Sequence, residues 1–176
     1  MKRSLVCLSL FSLAVGFSLQ AQAPPAGPPS VSAEVKRSYN NIKTNIMKAA
    51  EKVPDDAYSF TPATTIRPFG ALVGHVADAQ LGTCSTLNGE RKQGTASTKT
   101  SKADLVAALK ESFEACDKAY EALTDANASE STGSGRGQRT RIGALYGNIA
   151  HDNEMYGTMS VYMRAKGLVP PSSEGK

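Results

Sequence analysis

Apolar residues recur along this chain at alternating steps of four and three, and almost nowhere at steps of two. Val35, Tyr39, Ile42, Ile46, Ala49 and Val53 keep that spacing until Pro54 interrupts it, which predicts a helix of about six turns. A second stripe carries Phe69, Leu72, Val76 and Ala79; it opens at Pro68, a residue suited to a first turn, and fades near Asn88 and Gly89. The third follows Ser101-Lys102-Ala103-Asp104, an acidic variant of the capping box, and turns Leu105, Leu109, Phe113, Cys116, Tyr120 and Leu123 inward. The fourth begins near Thr140, aligns Ile142, Leu145, Ile149, Tyr156 and Met163, and stops at Gly167 and Pro170-Pro171.

No stretch alternates apolar and polar residues for long, and no hairpin dipeptide separates two β-branched runs, so the expected class is all-α. Four helices of roughly 20 to 25 residues, some 30 to 37 Å long, suit a four-helix bundle. The connections over 54–67, 89–100 and 125–139 are unequal, and at least one is long enough to cross the bundle. The last is rich in Gly and Ser and reads as a flexible linker. Its Gly133-Ser134-Gly135-Arg136-Gly137 run follows no predicted strand and precedes no Lys-Ser/Thr pair, so a flexible linker is a better reading than a phosphate-cradling loop.

The leading residues change the picture of where the chain works. Lys2 and Arg3 precede an apolar run from Leu5 to Leu19, too short to span a bilayer, followed by small residues and prolines. That is the layout of a secretory signal, with cleavage expected after Ala21, a Pro-rich linker over 22–29 and a single domain over 30–176. The expected location is periplasmic or secreted, without a transmembrane anchor in the mature chain. Removing Lys2 and Arg3 leaves 18 basic against 16 acidic residues, too balanced for a nucleic-acid partner. Cys84 and Cys116 then remain, and an oxidising compartment favours their pairing, with a gain of roughly 3 to 4 kcal/mol; two buried thiols are the alternative.

Candidate chemistry gathers at the two histidines, His75 on the second helix and His151 on the fourth. Met155 lies one turn beyond His151, where a third metal ligand would stand. Asp78 and Glu154, each three residues after a histidine, are alternative or orienting carboxylates, although solvated surface acids are the commoner case.

Pro54, Tyr58-Ser59-Phe60, Pro62, Arg67-Pro68-Phe69 and His75, then His151 with Tyr156-Gly157 and the closing run from Tyr162 to Ser173, resemble the DinB-like superfamily, especially its exported bacterial branch. The resemblance implies a four-helix bundle with a long crossover between helices 2 and 3. It also implies a divalent metal (Zn, Ni or Mn) held by a histidine of the second helix and an HxxxH pair of the fourth. Those three places fall on His75, His151 and Met155, and Thr158 stands where the family often has Gln.

Three outcomes follow from the thioether at the third place. The site persists in altered form, as in relatives that are metal-dependent hydrolases or thiol S-transferases, acting on an unidentified small molecule. Alternatively, the histidines are hydrogen-bonded residues at the edge of a metal-free binding or scaffold protein of the cell envelope, for which fold alone specifies no chemistry. Thirdly, His151, Met155, Met159 and Met163 form a strip suited to Cu(I), although methionine at helical spacing is usually packing material. A homodimer sharing a helix face is compatible with each.

Overall fold

The computed structural model describes residues 30–175, and the expected signal and Pro-rich linker over 1–29 lie outside them. Four helices carry the chain: α1 Val31–Lys52, α2 Phe69–Leu87, α3 Lys102–Glu121 and α4 Arg141–Ala165. Three begin on a hydroxyl cap, where Ser30, Ser101 and Thr140 accept from the backbone N–H of Ala33, Asp104 and Gly143. Pro68 sits just outside α2, at the cap position and not in the first turn. Gly167, with φ of 74°, takes the left-handed turn that ends α4, and Leu168 N–H returns to the Met163 carbonyl.

Helix directions follow from who meets whom. The start of α2 lies on the start of α3, where Leu105 packs against Gly70 and Gly74. Their ends are joined by the Cys84–Cys116 disulfide, so α2 and α3 run parallel. Helix α1 is antiparallel to α3: Ser32 N–H donates to Asp125 at one end, and Lys102 reaches the Glu51 carbonyl at the other. Helix α4 is antiparallel to α2, with Tyr162 near Phe69 and His151 facing His75. The order is therefore up, down, down, up.

Parallel neighbours need a long return connection, and residues 88–101 make it along the outside of α2. Both Asp78 oxygens hold this crossover, accepting from Ala96 N–H at 2.7 Å and Ser97 N–H at 2.9 Å. It runs so close that a Cβ on Gly74 would stand 2.9 Å from the Ala96 carbonyl oxygen.

The core lies along the inward stripes. Tyr39 stacks on Tyr120 with ring centroids 3.8 Å apart, joining α1 to α3, and Tyr120 donates to the Leu145 carbonyl of α4. The 54–67 connection folds onto the α2 and α4 end. Tyr58 is buried, donates to the Ala50 carbonyl and meets Phe69 edge-on, while Phe60 meets Tyr162. Arg67 ties this loop down through its backbone carbonyl, which accepts from Tyr162.

The segment over 125–139 departs from the flexible linker read in the sequence. Strands β1 Ser131–Thr132 and β2 Arg139–Thr140 pair antiparallel as a small hairpin, too short to leave an alternation signal. Local anchors hold it: Arg141 N–H donates to the Glu130 carbonyl and Ile142 N–H to that of Ala128. Among the described residues no helix is long and apolar enough to cross a membrane.

The disulfide closes a loop across a sequence separation of 32 residues, which by chain entropy contributes about 3 to 4 kcal/mol. Replacing Cys84 and Cys116 together by Ser is expected to lower unfolding stability by about 2 to 4 kcal/mol in urea denaturation, with the helical circular-dichroism signal retained.

Candidate metal centre

Helices α2 and α4 bring the two histidines together. The Nε2 atoms of His75 and His151 lie 3.2 Å apart, and the ring planes are inclined at 65°. Two nitrogens each about 2.0 to 2.1 Å from one tetrahedral ion stand roughly 3.3 Å apart, so this separation suits a single shared cation as well as an N–H···N hydrogen bond. Both rings are half-buried.

Beyond the pair, the open side is a groove of about 300 Å³. Its walls include His75, Met155, Arg67, Leu72 and Tyr162. Met155 thus shares the groove with His75, one helical turn from His151. Burial holds the His75 imidazolium below its ordinary pKa of 6.5, and the positive charges of Arg67 and His151 act in the same direction. Asp78 and Glu154 oppose that shift from a distance.

On the far side of His151 the sequence reading missed a residue. Asp152 is completely buried, its Oδ1 lies 3.7 Å from His151 Nδ1, and its Oδ2 accepts from Asn148 at 3.1 Å. The Nδ1 distance is too long for a hydrogen bond, and Oδ1 has no other partner. Burial raises the Asp152 carboxyl above the usual range. If the Nδ1 proton faces this carboxyl, His151 Nε2 presents its lone pair toward His75. A signal was available: between Ile149 and Tyr156 the inward stripe of α4 requires an occupant at 152, and that occupant is an aspartate.

The remaining candidates have other places. Asp78 is committed to the crossover, and Glu154 is exposed. Met159 and Met163 are wholly buried core residues, so only Met155 of the methionine strip faces the groove. Among the described residues no three His, Cys, Asp or Glu side chains gather as a metal-holding group. The site brings together two imidazoles, with a thioether beside them.

An up-down-down-up bundle with a long crossover between its second and third helices defines a recognisable class of helical proteins. The chain belongs to the DinB superfamily, whose model matches residues 41–159. It is similar in fold to a DinB-like protein from Bacillus cereus ATCC 10987, at a TM-score of 0.66 and 19% identity, covering 81% of this chain and 96% of the other. A DinB-like protein from Bacillus subtilis, YjoA, aligns at a TM-score of 0.64 and 20% identity over 81% of this chain and 99% of its own. No curated protein matches the sequence.

Two outcomes test this geometry. In metal-free protein, the His75 ring resonances are expected to titrate below pH 6.5 by NMR. Because the folded pKa lies below the unfolded one, the stabilisation linked to His75 is complete above about pH 6.5 and is lost as pH falls through the folded value. The urea midpoint should therefore drop on acidification, and less steeply in His75→Gln. Separately, Asp78→Ala should cost about 1 to 3 kcal/mol in urea denaturation by releasing the crossover, while zinc affinity by calorimetry changes less than threefold.

Proposed function

We propose that this protein is an exported DinB-superfamily member in which His75 and His151 together hold one divalent cation, with Met155 as a weak third neighbour. The observation carrying this reading is the 3.2 Å approach of the two Nε2 atoms across α2 and α4. The donor set fits a borderline cation through its imidazoles and fits it less well through the thioether, a soft neutral donor. Zinc, nickel or manganese is the expected class. Such a cation supplies Lewis acidity toward a water or thiol nucleophile, as in hydrolases and thiol transferases.

The chain's own residues do the rest. Asp152 lies on the Nδ1 side of His151 at 3.7 Å, where an Nδ1 proton facing it would leave the Nε2 lone pair for the cation. Leu72 and Tyr162 give the groove an apolar wall, and Arg67 gives its rim a positive charge, so a small molecule entering there meets His75 and Met155 first. Support for export comes from the basic and apolar leader and from the Cys84–Cys116 disulfide.

A metal-free binding protein of the cell envelope is the competing reading, favoured by the thioether at position 155 and by the ability of the two imidazoles to hydrogen-bond directly. Calorimetry with zinc and nickel separates the two. Wild type should bind one equivalent, His151→Ala should lose at least tenfold in affinity, and Met155→His should gain at least tenfold, about 1.4 kcal/mol. Equal affinities in all three proteins would refute a centre built from these side chains.

A further inference from the structure

A second cleft lies on the opposite side of His151 from the groove, between α2 and α4 and beneath the β1–β2 hairpin. Its volume is about 420 Å³, within the range of small-molecule sites. Small residues make the space. A Cβ on Gly82 would meet nothing within 4 Å, and Ala79 and Ala144 also line the walls. Its polar side chains are Thr83 and Thr86 on α2, Asn148 and His151 on α4, and Thr132 and Arg139 on the hairpin.

Arg139 gives the cleft its chemistry. Its backbone is fixed by pairing with Thr132, whose hydroxyl also donates to the Arg139 carbonyl at 3.2 Å. Its guanidinium lies directly on α4: a Cβ on Gly147 would stand 2.8 Å from Nη1. Glycine at 147 therefore lets this cation settle against the helix. Among the described residues no carboxylate stands within ion-pair distance of Arg139, whereas Arg141 next but one along the chain has Glu130. A planar fork of donors matches a carboxylate.

We infer that this cleft binds a small monocarboxylate, its carboxylate on Arg139 and its apolar body along the floor at Gly82 toward His151. His151 lines this cleft as well as facing His75, but neither Arg139 nor Gly82 is among the proposed metal ligands, so the carboxylate site is tested in metal-free protein. Hexanoate and its uncharged counterpart hexanamide are the probes, added to chelator-treated full-length protein and followed by backbone NMR. Hexanoate should shift the amide signals of Gly82, Thr83 and Gly147, and hexanamide should bind at least tenfold more weakly. Arg139→Gln should weaken hexanoate at least tenfold. Gly82→Leu, which fills the space with a better helix former, should abolish the shifts while keeping wild-type circular dichroism and thermal stability. Arg67→Gln, in the other groove, should bind hexanoate as wild type does. Equal binding of the two probes, undiminished binding by Arg139→Gln or Gly82→Leu, or loss on Arg67→Gln would each overturn the assignment.

Discussion

Two helices that run the same way cannot be joined by a short turn, and α2 and α3 run the same way from Leu105 beside Gly70 to Cys84 bonded to Cys116. The return segment must travel the length of α2, and the missing side chains at Gly70 and Gly74 let α3 and the crossover close in upon it. Asp78 anchors that segment by two backbone N–H groups. With one flank of α2 occupied by α3 and the crossover, its other flank is left to α4. The antiparallel meeting of α2 and α4 then sets His75 against His151. The histidine pair is thus a consequence of connectivity as well as of residue choice.

The same packing explains why the pair has space on two sides. Toward the α4 C-terminal end, the 54–67 loop rests on Phe69 and Tyr162 and forms one wall of the groove beside Met155. Toward the α4 N-terminal end, small residues on α2 and α4 keep the helices from filling the gap, and the hairpin roofs it. A larger residue at Gly82 would have space to occupy, whereas one at Gly74 would collide with backbone. Their absent side chains serve different ends: close packing in one case and an open cleft in the other.

Much of this was legible in the sequence, for identifiable reasons. The spacing of Val35 to Val53 and of Leu105 to Leu123 depends on burial along one face, so it survived as a pattern and located α1 and α3. Capping at Ser101 and Thr140 and the stop at Gly167 were local and readable. The β1–β2 hairpin was not, because two-residue strands are held by backbone bonds that impose no side-chain pattern. Asp78 was read as a ligand candidate from its distance to His75 along the helix, but sequence cannot show that the crossover comes back to claim both of its oxygens. Asp152 was passed over because an acid in an inward stripe runs against expectation.

That exception bears on function. Replacing both partners of a buried hydrogen bond by apolar groups of similar shape can be nearly neutral or stabilising, while leaving one without a partner costs about 1 to 3 kcal/mol. Asp152 is completely buried with one oxygen unbonded, and both polar atoms of Gln80 on α2 are likewise buried and unpartnered. Asn148 satisfies only part of the demand, donating to Asp152 at 3.1 Å and to the Tyr120 hydroxyl at 3.4 Å. Local rules yield where a site needs them to, and here the acid adjoins the histidine whose other nitrogen faces His75. Asp152 lies beneath His151 with its Oδ1 3.7 Å from Nδ1, while Asn148 donates to its other oxygen. The pair therefore stands over a buried polar layer of Asp152, Asn148 and Tyr120 rather than over an apolar one.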